Sequence, residues 1–239
     1  ASDVYKRQVN NIKKKLNLSR QIKVKDTLKF LTTSSNIFRK NIDAKIIAIT
    51  GSCGKTTLKE LLGETLSKIS KVSISPKSYN NKYGVPLSLL NLDHNDDYGV
   101  LEVGMDKKGE IDFLSKIVQP DVSIITNINY AHIKNFKDIK QIALAKAEII
   151  ENTKSNGHIV LNADDNFFKL HKKIALKKNL NVRSFGIKNK RSDIRLLSIK
   201  KNSKFYRVYV KIDNSKRYFV IANNFKSNIY NILAALAVI

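Results

Sequence analysis

The sequence is poor in the residues that mark secreted disulfide-bonded, membrane-spanning or structureless proteins. Its 239 residues include one cysteine, three prolines and no tryptophan. A single cysteine excludes an internal disulfide and suits a reducing compartment, so we expect a cytoplasmic protein. No apolar run approaches the roughly 20 residues of a membrane helix, and the first residues lack a signal-peptide pattern, so we expect no membrane span. The balance of 42% hydrophobic and 27% charged residues is that of a folded protein with its own core.

Acidic residues are also scarce: the chain has 20 aspartates and glutamates but 44 lysines and arginines, which gives a net charge of +24. A basic chain can bind nucleic acid, or it can simply carry lysine-rich solvated surfaces. The cations here are spread along the whole chain and are not interleaved with aromatic residues in one dense patch. We therefore expect no nucleic-acid partner. The positive electrostatic field of such a basic chain would also attract an anionic nucleotide.

Short apolar runs that alternate with amphipathic segments predict an α/β fold, with a P-loop-type, mostly parallel sheet flanked by helices. Continuous apolar runs bounded by turns indicate buried parallel strands, and apolar residues at helical spacing indicate helices. The predicted strands are Lys45–Thr50, Tyr98–Val103, Val122–Ile128 and Gly157–Asn162. The predicted helices are Val24–Phe38, Lys55–Ile69, Gly109–Val118 and Ile139–Glu151.

The pattern changes near the C-terminal part of the chain. Segments Asp193–Ile199, Phe205–Ile212 and Arg217–Ala222 alternate with turns and predict a small antiparallel β meander. The sequence then ends within an apolar helical stretch, Asn228–Ile239, without a polar cap, so we expect the chain to continue in a longer protein. We interpret residues 1–8 as non-native, residues 1–44 as an N-terminal linker and residues 45–239 as one nucleotide-binding domain.

The strongest local signal is a phosphate-binding loop between a predicted strand and a predicted helix. It consists of Gly51, Ser52, Cys53, Gly54, Lys55, Thr56 and Thr57. Glycines let such a loop turn tightly and aim backbone N–H groups at phosphate oxygens, and the helix N-terminus adds partial positive charge. Lys55 would reach the β- and γ-phosphates, and the Thr56 hydroxyl would bind Mg²⁺.

This loop is a shortened variant, because the first glycine of the strict motif is replaced by Ile49. An unrelated Gly-Lys-Thr turn is the alternative interpretation, which the flanking strand and helix disfavour. We interpret Cys53 as a small spacer in the loop rather than a nucleophile, since no histidine lies nearby in sequence to activate it.

Six segments in order resemble the Mur ligases, a family of ATP-dependent amide ligases, from about Val24 to the end of the chain. They are ITGSCGKTTLKE at 49–60, NNKYGVPLSLLNL at 80–92, LEVGMDKKGEI at 101–111, TNINYAHIKNF at 126–136, IALAKAEI at 142–149 and LNADD at 161–165. Within the family, the second and third segments look most like the branch that adds D-alanyl-D-alanine. The resemblance implies a central ATP-binding domain, with a uridine-nucleotide domain before it and a C-terminal domain after it.

The resemblance implies a magnesium site. Glu102, at the end of a predicted strand, matches the family's carboxylate ligand, and His132 matches a histidine that helps to hold a second Mg²⁺. Lys146 matches a lysine that relatives carry as a carbamate bridging the metals. Each residue has a simpler interpretation: a solvated strand-end glutamate, a structural histidine and an exposed helix lysine. We expect the other histidines, His94, His158 and His171, to lie at the surface.

The resemblance also implies nucleotide contacts by four asparagines. Asn80 and Asn81 would lie near the γ-phosphate, although they could equally form a simple turn before the next helix. Asn228 and Asn231 match asparagines that contact adenine, and Asn228 could instead cap a helix. The family pattern has a glycine and a histidine where this chain has Phe225 and Ser227, which puts the local turn and some nucleotide contacts in doubt.

The reaction that the resemblance implies uses ATP and Mg²⁺ to join UDP-N-acetylmuramoyl-tripeptide to D-alanyl-D-alanine through an acyl phosphate. Lys55, Lys146 and His132 would be catalytic, and we expect a monomer that is inactive as this segment alone. Two alternatives stay open. One is another Mur-type branch, including folylpolyglutamate synthase, whose loop usually reads Gly-Lys-Gly-Ser. The other is a basic P-loop protein that binds nucleic acid, which would show steeply salt-dependent DNA binding.

Overall fold

A nine-stranded mixed sheet forms the centre of the protein. The computed structural model describes residues 7–9, 21–130, 133–203, 205–222 and 228–239. The sheet has the order β11-β10-β9-β8-β7-β6-β3-β5-β4. Its strands are β3 (Lys45–Thr50), β4 (Val72–Ile74), β5 (Tyr98–Glu102), β6 (Val122–Ile125), β7 (His158–Asn162), β8 (Asn181–Gly186), β9 (Ile194–Lys201), β10 (Phe205–Ile212) and β11 (Ser215–Ala222). Two short strands, β1 (Arg7–Val9) and β2 (Gln21–Lys23), pair parallel in a separate sheet.

Helices cover both faces of the large sheet. In the described part of the chain they are α1 (Thr27–Lys40), α2 (Lys55–Leu66), α3 (Gly84–Leu90), α4 (Glu110–Val118), α5 (Ile139–Glu151), α6 (Phe168–Lys177) and α7 (Ile229–Leu236). One hydrophobic cluster lies under α3 to α6, and a second lies under α2, α7 and the C-terminal strands. Among the described residues, no helix has both the length and the apolar character needed to cross a membrane.

The predicted fold class is confirmed. Strands β3 to β9 pair in parallel, and β9, β10 and β11 form the antiparallel meander. The inner strands are parallel and buried on both faces, which explains their continuous apolar runs; five of the six residues of β3 are buried. In the meander, Val208 and Val210 face the core while Arg207 and Tyr218 face outward, so its sequence alternates.

The strand order places a crevice at the carboxyl end of β3. This strand lies between β5 and β6. The chain leaves β3 through α2 toward β4 on one side, and later crosses from β5 through α4 to β6 on the other side. Such a reversal leaves an open crevice at the carboxyl ends of the strands, where ligands of α/β proteins bind.

Several predicted boundaries differ from the structure. Helix α2 ends at Leu66 rather than Ile69, whose side chain is 72% exposed, and β6 ends at Ile125 rather than Ile128. Helix α1 begins three residues later than predicted, because the Asp26 carboxylate caps it by accepting a hydrogen bond from the Lys29 N–H at 2.9 Å. Strands β4 and β8 and helices α3 and α6 were not predicted.

A buried charge network fixes α1 to the amino ends of the strands. Arg39 is 4% exposed, and its guanidinium donates to the carbonyl oxygens of Val118 at 2.7 Å and Gln119 at 2.9 Å. It also donates to the Asp121 carboxylate at 2.8 Å, which in turn accepts from the Ile46 N–H at 2.8 Å. These contacts satisfy the polar groups that would otherwise be costly to bury. Helix α1, although it lies in the segment that we interpreted as a linker, therefore packs as part of the same fold.

Candidate nucleotide and metal site

The glycine loop lies where the sequence predicts it, between β3 and α2. Gly51 and Gly54 have φ values of 145° and 86°, which residues with a Cβ atom rarely adopt. Helix α2 begins at Lys55, directly after Gly54, so its first N–H groups face the carboxyl edge of the sheet. The Lys55 ammonium donates to the Gly51 carbonyl oxygen at 2.9 Å, which folds its side chain back over the loop. Ile49, in the position of the missing motif glycine, is a buried residue of β3.

Residues 126–129, which follow β6, hold the glycine loop in place through hydrogen bonds, and we call this set of bonds the clamp. The Asn127 side chain makes two hydrogen bonds of 3.1 Å to Cys53, accepting from its N–H and donating to its carbonyl oxygen. The Thr126 hydroxyl donates to the same carbonyl oxygen at 2.6 Å. Ser52 contributes further bonds to the backbone of residue 127 and to Asn129. Sequence reasoning missed this clamp, although the Thr-Asn pair directly after a buried strand is the signal that could have indicated it.

Glu102 lies at the carboxyl end of β5, beside the glycine loop. In the pairing of β3 with β5 it is opposite Ile49. The whole residue is 0% exposed, so the simpler interpretation as a solvated glutamate is wrong. Its Oε2 accepts a long hydrogen bond of 3.5 Å from the Asn80 side chain, whereas its Oε1 has no hydrogen-bond partner in the part of the chain that the structure describes. A buried carboxylate oxygen without a donor is unusual and is suited to a cation.

Lys146 projects from α5 into the same region. It is 2% exposed, so it is not the exposed helix lysine of the simpler interpretation. Burial, together with a smaller effect of the Lys55 charge, lowers the pKa of Lys146 from 10.5 to about 7. Burial also lowers the pKa of Lys55, against the opposing effect of the Glu102 charge. A lysine with a pKa near 7 is partly uncharged at neutral pH and can act as a nucleophile.

Two cavities flank the start of α2. The first, which we call the lysine cavity, has a volume of about 630 Å³ and is lined by Lys55, Lys146, Asn80 and Asn81, among others. The second, the threonine cavity, has a volume of about 350 Å³ and is lined by Thr56, Thr57, Glu60, Leu61, Glu64, Asn228 and Ile232. Successive residues of one loop thus face two different cavities, and a ligand held by the loop could extend into both.

Three of the four candidate asparagines line these cavities, Asn80 and Asn81 the lysine cavity and Asn228 the threonine cavity. Asn81 accepts from the N–H groups of Tyr83 at 3.0 Å and Gly84 at 2.9 Å, so its side-chain oxygen forms the turn that starts α3. Asn228 occupies the N-cap position of α7 but makes no side-chain capping bond, and it lines the threonine cavity. Asn231 lies over the glycine loop, since a Cβ atom on Gly54 would come within 2.7 Å of its Oδ1. Phe225 and Ser227 lie outside the described residues.

The histidines are placed differently from expectation in one case. His94 and His158 are exposed, as predicted. The prediction that His171 lies at the surface is wrong: it is 2% exposed, and its Nε2 lies 3.0 Å from the Ala143 carbonyl oxygen on α5. Burial lowers its pKa, so the neutral ring is favoured. The face of α6 that packs on α5 explains the burial. His132 lies outside the described residues.

The donor set fits a magnesium ion that is bound mainly through a nucleotide. Among the described residues, no group of three or more His, Cys, Asp or Glu side chains could hold a metal. Mg²⁺, however, keeps several waters and is commonly bound by one or two protein ligands together with substrate phosphates. Glu102, whose buried Oε1 has no hydrogen-bond donor among the described residues, is suited to be one such protein ligand. Thr56 lines the threonine cavity on the other side of the loop.

Comparison with known proteins finds similarity over most of the chain. Residues 49–239 match the Mur ligase middle domain. The UDP-N-acetylmuramoyl-tripeptide–D-alanyl-D-alanine ligase of Buchnera aphidicola from Acyrthosiphon pisum is 42% identical over 153 residues, which are 64% of this chain and 33% of that protein.

Solved structures give the same result. MurF from Acinetobacter baumannii superposes with a TM-score of 0.82 at 32% identity, over 91% of this chain and 47% of that one. MurF ligase from Thermotoga maritima in complex with ADP superposes with a TM-score of 0.84 at 28% identity, over 98% of this chain and 53% of that one. The chain thus spans between a third and about half of the length of these relatives.

Proposed function

Because the chain belongs to the Mur ligase family, we propose that it forms the ATP-binding part of the ligase that joins D-alanyl-D-alanine to UDP-N-acetylmuramoyl-tripeptide. The observation that carries the proposal is the carboxyl edge of the sheet, where Lys55 and Lys146 meet in the lysine cavity beside the glycine loop. The product would be a peptidoglycan precursor. Residues 45–239 would be the central domain, and the domains that bind the uridine nucleotide and the amino substrate would lie elsewhere in the full-length ligase.

The nucleotide would lie across the start of α2. Its phosphates would accept hydrogen bonds from the loop N–H groups of residues 51–57, and the helix N-terminus would favour their negative charge. The γ-phosphate would face Lys55 and Asn80 in the lysine cavity. The base would extend toward the threonine cavity, where the Asn228 side chain makes no capping bond to α7 and Asn231 lies against Gly54.

Glu102 and Thr56 would hold a magnesium ion at the phosphates, with His132 as a candidate ligand at a second one. A bound Mg²⁺ neutralises charge on the transferring phosphoryl group and orients it. The free Oε1 of Glu102 supports this role, because it lies in a buried position that lacks a hydrogen-bond donor. The neighbouring Asn80 amide donates to the other oxygen and so leaves Oε1 for the cation.

Lys146 is suited to carbamylation. Its neutral amine would attack carbon dioxide, forming an N–C bond and releasing one proton to solvent, and would thereby become an anionic ligand. The low pKa supports this step, because only the uncharged amine has the electron pair that the reaction requires. The conversion would also remove an unfavourable buried ammonium, which makes no hydrogen bond or ion pair within the described residues.

The reaction would proceed in two displacements. The carboxylate of the muramoyl tripeptide would attack the γ-phosphorus of ATP, which breaks the bond to ADP and gives an acyl phosphate. The amine of D-alanyl-D-alanine would then attack the acyl carbon and expel phosphate, and its proton would pass to solvent. Lys55 would neutralise the charge on the transferred phosphoryl group in the first step, and positioning and electrostatics supply most catalysis of this kind.

The test is phosphate release from ATP by the full-length ligase. We expect release only when UDP-N-acetylmuramoyl-tripeptide and D-alanyl-D-alanine are both present. The variant Lys55→Ala should lower the rate by about 100- to 1000-fold, the usual effect of removing one electrostatic stabiliser. Release with a different pair of precursor and amino acid would instead indicate another branch of the family. No release with any such pair would contradict the proposed activity.

A further inference from the structure

Lys59 is a fully buried lysine next to the candidate site, and the proposed reaction gives it no role. It lies one turn after Lys55 on α2, and its side chain is 0% exposed. Its Nζ donates to the Ser75 carbonyl oxygen at 2.7 Å and to the Lys77 carbonyl oxygen at 2.5 Å. Buried lysines are rare and need compensation, so this one requires a reason.

The compensation for Lys59 comes from two carboxylates. Glu60 lies 3.0 Å from its Nζ, but that side chain is 57% exposed and so contributes little. Glu102 is fully buried, and its Oε1 lies 3.6 Å from the same Nζ. That distance is close enough for charge attraction but too long for a hydrogen bond, and Oε1 has no other donor. Lys59 therefore offsets the charge of Glu102 without occupying its lone pairs.

Lys59 also joins three parts of the site through the segment that it binds. Lys77 has a φ of 46°, in the left-handed region, and its carbonyl oxygen is one of the two backbone acceptors for Lys59. The chain then reaches Asn80, whose carbonyl oxygen accepts from the Gly104 N–H at 2.7 Å and whose side chain donates to Glu102. The Lys59 ammonium thus connects three parts of the site: helix α2, residues 75–80, and Glu102 at the end of β5.

We propose that Lys59 is a positioning residue. Its ammonium supplies positive charge beside Glu102 when no metal is bound, and it keeps that carboxylate in the position where it would bind Mg²⁺. Lys59 lines neither of the two cavities and would act through Glu102: its ammonium leaves the lone pairs of Oε1 without a hydrogen bond and, through residues 75–80, keeps the carboxylate aligned with Asn80. This inference rests on the proposed function, because that proposal makes Glu102 a magnesium ligand.

The experiment measures the melting temperature of the full-length chain with and without MgCl₂. Lys59→Met removes the ammonium at nearly constant volume and leaves Glu102 uncompensated. We expect its melting temperature to fall by about 10 °C without metal. Saturating MgCl₂ should recover about half of that loss, since the cation replaces the missing charge, and should shift the wild type much less.

Arg39→Met is the matched control, because it removes a second buried cation, which lies at the amino ends of the strands and far from the candidate metal site. It should melt earlier by a similar amount and respond to MgCl₂ no more than the wild type. An equal response of Lys59→Met and Arg39→Met to MgCl₂ would show that Lys59 is only a packing residue and would overturn the inference.

Glu102→Gln keeps the test decisive if Lys59→Met does not fold. We expect Glu102→Gln to lower the melting temperature, because it leaves the Lys59 ammonium uncompensated, and the double variant with Lys59→Met to melt higher than Glu102→Gln alone. A Glu102→Gln chain that melts like the wild type would contradict the inference. Failure of the ligase to release phosphate would count against the proposed function alone, because the coupling between these two residues is measured by melting.

Discussion

Buried charges lie at both ends of the parallel strands, and we call these ends the amino edge and the carboxyl edge of the sheet. The two edges differ in how fully hydrogen bonds satisfy those charges. At the amino edge, the Arg39 guanidinium has carbonyl and carboxylate acceptors, and Asp121 accepts from Arg39, from the Ile46 N–H and from Lys154. At the carboxyl edge, Glu102 Oε1 and the Thr50 hydroxyl are buried without a hydrogen-bond partner. The charges at the amino edge are thus satisfied by hydrogen bonds, whereas the carboxyl edge has two buried oxygens that no described residue hydrogen-bonds, with only the Lys59 ammonium at 3.6 Å from Glu102 Oε1.

This contrast separates structural charges from charges that await a ligand. Full hydrogen bonding makes a buried ion pair stable in place, and removing one partner is then costly. Unused buried donors and acceptors lower stability unless something binds them, so they mark the position where binding would recover the lost energy. The difference can be tested by removing groups from each edge, and the expected effects range from several kcal/mol to almost nothing.

The largest effect is expected at the amino edge. Arg39→Met removes one of the three donors to Asp121 and the guanidinium donor of the Val118 and Gln119 carbonyl oxygens, so the free energy of unfolding should fall by about 3–5 kcal/mol. Denaturant unfolding of the variant and the wild type measures this loss. A loss below about 1 kcal/mol would mean that water replaces the guanidinium and that the Arg39 hydrogen bonds contribute little to the stability of this edge.

At the carboxyl edge, removal of a charge should stabilise the protein in a pH-dependent way. The pKa of Lys146 is about 7 in the folded chain and 10.5 when unperturbed, so folding disfavours the charged amine. The wild type bears this cost fully below about pH 7 and loses it as pH rises toward 10.5, where the amine is neutral in both states. Lys146→Met should therefore be more stable than the wild type at low pH by several kcal/mol, since each unit of pKa change corresponds to about 1.4 kcal/mol.

The measurement compares the unfolding free energy of Lys146→Met and the wild type between about pH 6 and about pH 10 in buffer depleted of carbon dioxide. Removing carbon dioxide keeps Lys146 as a free amine. The difference between the two proteins should shrink steadily over this range. A difference that stays constant would show that the Lys146 ammonium is not disfavoured by burial.

A smaller effect is expected behind the glycine loop. Asn127→Ala removes both side-chain hydrogen bonds to Cys53 and loosens the loop without changing a group that faces the nucleotide. We expect ADP binding to weaken by about 10-fold, as titration calorimetry can measure. Asn181→Ala is a suitable control, because that side chain bonds to the Asn156 carbonyl oxygen near the amino edge and should leave ADP binding unchanged.

The smallest effect is expected where a charge pair belongs to neither edge. Lys116 and Asp112 form an ion pair of 2.6 Å on the outside of α4, with side chains that are 63% and 37% exposed. Lys116→Ala should change the unfolding free energy by less than about 0.5 kcal/mol, because solvent screens such pairs. A loss as large as that of Arg39→Met would mean that burial does not decide what a charge contributes here.

The sequence predicts the elements with strong periodicity and misses those that depend on their neighbours. Strand β3 and helix α5 appear with the predicted bounds. Strand β8 contains Asn181, Arg183 and Ser184, which are poor strand formers, and it becomes a strand because β7 and β9 pair with it. Helix α3 has seven residues with Gly84 and Pro86 near its start, a pattern typical of a turn.

The candidate site divides in the same way. The glycine loop is predictable because its residues are adjacent in sequence and lie between a strand and a helix. The burial of Lys59 and His171 is not, because a lysine or histidine on an amphipathic helix usually faces solvent, and only the packing of distant segments encloses these two. The roles of Glu102 and Lys146 stay predictions, although both side chains lie buried at the predicted edge.

The contact between Gly51 and Thr126 has a consequence for how this protein can change. A Cβ atom on Gly51 would come within 1.9 Å of the Thr126 hydroxyl oxygen, and the φ of 145° already disfavours a side chain there. A side chain at position 51 therefore conflicts with the hydroxyl that donates to the Cys53 carbonyl oxygen, and removing that hydroxyl to make room would cost this hydrogen bond. Two positions that are 75 residues apart in sequence are thus coupled, and Gly51 is the residue that lets the Thr126 hydroxyl reach the loop.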